Sequence, residues 1–277
     1  MNDIWIFRPG ALGDTILTLP FLESLQKKYA ELNIVFWGSI EYAPVINEFF
    51  PQIEFRSFQS LQLTPLFSCD FTKADLTINL PATIYVILKK DKVVSKNLNQ
   101  ICSQVKWCEI EERNNIWVAT QIQTILNCSI ENNFSLIHKF SPNKKLLIHM
   151  GTGSPQKLLP KEFWISLIDQ LKDKFSVSLL FGPADTKISP EIFKDIDIIR
   201  DISLIELMKK MKDFSYFLGL DSGVSHLAGV LGLKGTAFFH HTNPQYWRPL
   251  GNIKPLIVDR HNLPPLKKAQ LSILNLS

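Results

Sequence analysis

The chain is poor in what would make it a disulfide-built, membrane-spanning or nucleic-acid-binding protein. Only four cysteines occur in 277 residues, Cys69, Cys102, Cys108 and Cys128. None form a C-x-x-C pair and no histidine lies at zinc-finger spacing from them, which argues against a disulfide framework or a structural zinc. No apolar run approaches the ~20 residues of a membrane span. Ile4-Trp5-Ile6-Phe7 reads as a strand running into a glycine loop rather than as a signal peptide. The net charge is only +4, too small an excess to imply nucleic acid, although it would suit an anionic substrate or membrane surface. Two nucleotide fingerprints are also missing. No G-x-G-x-x-G and no G-x-x-x-x-G-K-[ST] occurs, so neither a dehydrogenase nor a P-loop ATPase is supported.

What remains is ordinary globular material, 45% hydrophobic and 20% charged, and long enough for two cores. Strand and helix signals alternate. Ile4–Arg8 is followed by Pro9-Gly10-Ala11-Leu12-Gly13 and by a helical stretch with Leu17, Phe21, Leu25 and Tyr29 at i, i+4 spacing, which Pro20 should kink or split. Strands are expected at 34–37, 53–58 and 75–80, and helices near 42–49, 105–112 and 116–126. The polar segment Ser129–Asn143 is the linker candidate, which sets domains at 1–137 and 138–277. Beyond it the pattern restarts with a strand at 145–149, the loop Gly151-Thr152-Gly153-Ser154-Pro155, and a helix over 160–174. Further strands are expected at 177–181, 197–200, 214–218, 236–239 and 255–258, with helices near 203–212 and 222–232. Ser203 and Glu206 form a capping box. Alternation of this kind predicts parallel, doubly wound sheets with ligands beyond the carboxyl ends of the strands.

Three constellations look chemical. In Arg8-Pro9-Gly10-Ala11-Leu12-Gly13-Asp14-Thr15, a carboxylate stands at a helix start. It is either a cap or a general base. In Thr152-Gly153-Ser154-Pro155-Gln156-Lys157, small residues, hydroxyls and one ammonium are what a diphosphate needs, and also what a plain surface turn contains. In Gly219-Leu220-Asp221-Ser222-Gly223-Val224-Ser225-His226, a helix N-terminus could hold an anion, while a histidine one turn in is as readily a packing residue.

In this order the three segments, with the strand-like D-L-T-I-N-L at 75–80, resemble the bacterial heptosyltransferases of glycosyltransferase family nine. The similarity spans nearly the whole chain, and D-S-G-V-S-H-L-A is its most specific piece. The resemblance implies a GT-B fold, two Rossmann-like α/β domains with parallel sheets facing an interdomain cleft. It implies metal-independent, inverting transfer of a sugar, usually a heptose from an ADP-sugar, onto a lipopolysaccharide-core or related glycan or glycolipid acceptor. No cofactor is expected beyond the nucleotide-sugar donor. By position it makes Asp14 the catalytic carboxylate and Thr152, Ser154 and Lys157 the diphosphate loop. Asp221, Ser222, Gly223 and His226 become the donor-binding helix start, Ile202 and its neighbours line the adenine, and Asp185 meets the ribose.

The sequence departs from the family pattern in three places. K-x-W-P is here Lys157-Leu158-Leu159-Pro160, D-T-G is Asp221-Ser222-Gly223, and G-P-T-D-P is His240-His241-Thr242-Asn243-Pro244. The region from 89 to 143 is short for the family. A cytoplasmic enzyme is expected, with peripheral contact at the inner membrane through Lys89, Lys90, Lys92 and Lys96. A nucleotide-sugar epimerase and a silent nucleotide-binding relative are the competing readings.

Overall fold

The computed structural model describes residues 3–112, 115–127, 134, 137, 143–182, 185, 192–193 and 195–259. Cys128 and most of the linker candidate Ser129–Asn143 lie outside these residues. The chain divides into two compact units, Met1–Phe134 and Ser135–Ser277.

The N-terminal unit is a five-stranded parallel sheet. Its strands are β1 (Ile4–Arg8), β2 (Ile34–Gly38), β3 (Glu54–Ser57), β4 (Thr83–Val86) and β5 (Val105–Trp107), in the order β3-β2-β1-β4-β5. Every residue of β1 and β2 is buried. That burial explains why these strands read as unbroken apolar runs instead of alternating ones, since helices cover both faces of a parallel sheet. Trp5 packs edge-on against Trp37 at 5.4 Å, and Phe7 stacks on Trp37 at 6.1 Å. Leu63 and Leu66 from a 3₁₀ segment, with Leu98 and Ile101 from α4 (Lys92–Ile101), close that face.

The first helix is split as Pro20 requires. α1 covers Leu12–Leu17 and α2 covers Leu19–Lys28, with Thr18 between them. Pro20 falls in the first turn of α2, where its missing N–H costs no hydrogen bond. α3 (Ala43–Phe49) follows β2, and α5 (Val118–Thr124) packs on α2.

Two local expectations fail here. Residues 76–80 form no strand. Leu76, Ile78 and Leu80 do turn one side to the core, which is the period-two signal, but β1 already has β2 on one edge and β4 on the other. The fourth strand is therefore 83–86, a short run with no alternation to announce it. Residues 105–112 are not helical. Val105-Lys106-Trp107 adds to the open edge of β4 as β5. The loop after it is tied by Gln121, which bonds Glu111 N, Glu111 O and Ile116 O at 2.7–3.0 Å.

The C-terminal unit is a six-stranded parallel sheet of β6 (Lys145–His149), β7 (Ser176–Phe181), β8 (Asp197–Arg200), β9 (Tyr216–Leu220), β10 (Lys234–Phe239) and β11 (Ile253–Ile257), ordered β11-β10-β9-β6-β7-β8. Counted from its own first strand, this is the doubly wound dinucleotide-fold order. α6 (Lys161–Leu171) buries Phe163, Trp164, Leu167, Ile168 and Leu171 against the sheet. Truncating Leu167 there would cost about 2–5 kcal/mol. α7 (Leu204–Met211) begins at the expected Ser203–Glu206 capping box and buries Met208 and Met211. α8 (Gly223–Val230) follows β9, and α9 (Pro244–Trp247) follows β10.

Candidate active site

Each sheet reverses its direction of winding beside its first strand, between β1 and β4 in one unit and between β6 and β9 in the other. The loops leaving these strands part at that point and open a crevice at the carboxyl ends. All three chemical constellations lie at such reversal points.

In the N-terminal unit, Arg8 ends β1 and is only 6% exposed. Its guanidinium donates Nη1–H to Ile87 O (3.1 Å), just beyond β4, and Nη2–H to Asp14 Oδ1 (2.7 Å). The second carboxylate oxygen of Asp14 accepts the Ala11 N–H at 2.9 Å. The capping reading of Asp14 is thus realised, and an ion pair is added that the spacing had not signalled. Neither use removes the base reading, because each carboxylate oxygen keeps a second lone pair. The Asp14 side chain is 26% exposed. Gly10 permits this closeness, since a Cβ at Gly10 would stand 2.6 Å from Asp14 Cβ. Burial lowers the pKa of Arg8, opposed by the nearby charge of Asp14. Burial also pushes the Cys108 thiol up to about 11, opposed by Arg8. Cys108 therefore stays a neutral packing thiol.

In the C-terminal unit, loops after three adjacent strands meet around Asp221. Lys157 Nζ donates to Asp221 Oδ2 at 2.5 Å, with the two side chains 22% and 8% exposed. The Thr242 hydroxyl donates to the same oxygen. Thr152 Oγ1 donates to the Asp221 carbonyl at 3.4 Å. Ser222 sits at the N-cap of α8, but its side chain does not cap the helix. Its Oγ lies 3.5 Å from His149 Nδ1 instead. The first N–H groups of α8 are therefore left without that cap and suit an anion. Ser154 opens the 3₁₀ turn Pro155–Lys157 that carries the lysine inward. Gly223 is the first residue of α8, and His226, one turn in, is 4% exposed and packs within the fold.

Two expected donor contacts stand apart from this cluster. Ile202 is half-buried just past β8. β8 lies two strands from β6, roughly 10 Å at ordinary strand spacing. Asp185 is turned inward. Its Oδ2 lies 3.1 Å from His149 Nε2 and accepts the Gly182 N–H at 2.6 Å. Its carboxylate also lies over Gly151, where a Cβ would come within 1.6 Å of Oδ1. Burial raises the Asp185 pKa, but the His149 hydrogen bond and charge and the Gly182 N–H outweigh it and hold the group below its ordinary value.

Arg8, His149 and Thr242 join these clusters without a role expected from the sequence. A polar residue closing a buried apolar strand is the available signal for the first two. The 240–244 loop is also less divergent than its letters suggest. Thr242 anchors it to Asp221, and Asn243 caps α9 through Gln245 N at 2.9 Å, which Asp would do equally well. What differs chemically is the His240–His241 pair and the charge absent at Asn243. Among the described residues, no group of three or more His, Cys, Asp or Glu is placed to hold a metal.

The family model described as glycosyltransferase family 9 (heptosyltransferase) matches residues 104–272, more than half the chain. Several solved structures share the fold. A glycosyl transferase family 9 protein from Veillonella parvula is 15% identical, with 98% of this chain and 90% of that one covered and a TM-score of 0.73. The E. coli heptosyltransferase WaaC, solved with ADP, is 12% identical, with 99% and 100% covered and a TM-score of 0.73. The iron-containing dodecameric glycosyltransferase TibC of enterotoxigenic E. coli is 14% identical, with 91% and 63% covered and a TM-score of 0.58. No curated protein matches the chain in sequence. At these identities the structures establish the GT-B fold alone.

Proposed function

The chain belongs to glycosyltransferase family 9, and from that premise we propose that it transfers a sugar, a heptose in the first instance, from an ADP-linked donor to a glycan or glycolipid acceptor of the lipopolysaccharide-core type, with inversion and without a metal. The observation that carries this reading is the Lys157–Asp221–Thr242 cluster beside the open N-terminus of α8, at the point where the C-terminal sheet reverses its winding. It sets the Lys157 ammonium, paired with Asp221 until a diphosphate competes for it, beside the N–H groups of α8 that the Ser222 side chain leaves uncapped.

Asp14 takes the proton of the attacking acceptor hydroxyl. The anomeric carbon–oxygen bond breaks as the new bond forms on the opposite face, and the nucleoside diphosphate leaves with the electron pair. Lys157 and the first N–H groups of α8, from Ser222 and Gly223 onward, offset the charge that develops on it. This is the role a metal plays in other transferases. Thr152 and Ser154 supply hydroxyls to the same loop. Ile202 lies where an adenine would reach. Asp185 orients His149, and through it Ser222, and is the carboxylate assigned to the donor ribose. His226 shapes the helix start from inside. Exposed Lys89, Lys90, Lys92 and Lys96 give the N-terminal unit a face for an anionic acceptor or an inner-membrane surface. Among the described residues no helix is long and apolar enough to cross a membrane.

The test is release of ADP from ADP-heptose in the presence of an acceptor fraction, with and without EDTA. ADP release that needs the acceptor and survives chelation is expected. Loss of activity in EDTA, restored by iron, would overturn the metal-free mechanism. Isomerisation of the donor with no acceptor present would favour an epimerase.

A further inference from the structure

The carboxyl end of the N-terminal sheet holds a cavity of about 200 Å³. Phe7, Val86 and Trp107 line it, each the last or next-to-last residue of β1, β4 or β5. Phe58, Leu66 and Val94 line it too. Close-packed cores keep few voids this large. This one lies at the sheet end where ligands of doubly wound folds bind. Its mouth is marked by Phe67, which is 50% exposed, and by exposed Lys89.

Four lysines and two carboxylates surround the mouth. Asp91 lines the cavity and caps α4, accepting Val94 N–H at 2.9 Å, and Glu109 Oε1 accepts the Lys90 backbone N–H at 3.2 Å. Lys89 is joined by exposed Lys90, Lys92 and Lys96, and Lys90 Nζ stands 6.0 Å above the Trp107 ring. The opening therefore presents net positive charge beside an apolar lining. Pro9, a further lining residue, is adjacent to Arg8, whose guanidinium holds Asp14.

We propose that this cavity seats an apolar group of the acceptor, an alkyl chain or aromatic ring, while an anionic group of the same molecule meets Lys89. A cavity of about 150 Å³ accommodates benzene, so this one takes a group of about six to eight carbons. The inference rests on the acceptor being held by the N-terminal unit, and it gives that acceptor a chemical class, an anionic amphiphile. Its attacking hydroxyl would lie on the Arg8–Asp14 side of the apolar group, because Pro9 joins the two places.

The test is calorimetric titration of the full chain, without donor, using ethyl, butyl, hexyl, octyl and decyl phosphates and 2-phenylethyl phosphate. Affinity should rise about fourfold per methylene, as burial of alkyl surface dictates, and level off beyond octyl. Tighter binding of hexyl than of phenylethyl phosphate identifies an alkyl group as the occupant, and the reverse identifies a ring. Val94→Phe and Leu88→Phe, made separately and checked for folding by circular dichroism, should each flatten the series. Lys89→Ala should weaken every member by a similar factor and keep the slope. Equal affinity for ethyl and octyl phosphate in the unmodified chain would overturn the proposal, as would a slope that survives in a folded Val94→Phe or Leu88→Phe variant. Because no sugar is moved in this assay, a failed pocket and a failed transferase reading give different results.

Discussion

Replacing Asp14 by Asn separates the two uses the structure gives this carboxylate, cap and ion pair, from its proposed third use as general base. An Asn oxygen still accepts the Ala11 N–H, so the cap survives. The amide nitrogen then either faces the Arg8 Nη2–H, donor against donor, or turns and abandons the cap. Arg8 is 6% exposed and, among the described residues, its Nε has no partner, so it loses its counter-charge while still desolvated. Removing one partner of a fully buried pair costs about 3–5 kcal/mol. Asp14 is 26% exposed, so water can reach the site, and about 1–3 kcal/mol is the expected cost. That lowers the melting temperature of the N-terminal unit by roughly 4–10 °C. Turnover, assayed well below that temperature, should fall on the order of 10²-fold or more, because Asn cannot accept the proton. Arg8→Met discriminates the roles. It removes the buried donors but leaves a carboxylate, so it should lose stability and keep far more turnover than Asp14→Asn. The double variant should be about as inactive as Asp14→Asn alone. If Arg8→Met and Asp14→Asn lose turnover equally, Asp14 serves only to hold Arg8. If a folded Asp14→Asn enzyme turns over near normally, the base assignment is wrong.

Three further outcomes are expected. Lys157→Ala should weaken ADP or ADP-sugar binding by one charge-assisted contact, about 1.5–3 kcal/mol or roughly 10- to 150-fold in Kd by calorimetry, and unchanged affinity would remove the lysine from the donor site. Gly151→Ala should destabilise the C-terminal unit by about 1–3 kcal/mol in thermal melts, because the new methyl occupies the place of the Asp185 carboxylate; the same change in an Asp185→Ala background should cost clearly less. Asp185, whose pKa is lowered on folding, binds fewer protons in the native state than in the unfolded one. Its contribution is therefore complete above about pH 4 and lost as pH falls through the lowered value, so Asp185→Asn should flatten the acid limb of the stability curve, and an unchanged limb would contradict the His149 pairing.

Much of this protein is written locally. Short apolar runs such as Ile4–Phe7 and Leu146–Ile148 announce strands buried on both faces, and those two lie within β1 and β6. Pro20 places the break between α1 and α2, and Ser203 with Glu206 starts α7, because backbone geometry and capping depend on residues a few positions apart. Glycine and hydroxyl residues after strands mark the loops where the candidate site lies. What the sequence could not settle was partner choice. Whether Leu76–Leu80 or Thr83–Val86 would pair with β1 depended on which edge was open, and the open edge of β4 turned Val105–Trp107 into a strand. The same holds for charge. Arg8 and Asp14 are close in sequence, but Arg8 also reaches Ile87, and Lys157, Asp221 and Thr242 come from three separate loops. Local order along the chain determined the elements and the loops that carry chemistry. Which strands paired, and which charges neutralised one another, was decided only by packing, because ladder edges and ion-pair partners are chosen by proximity in space, and the sequence does not encode that proximity at short range.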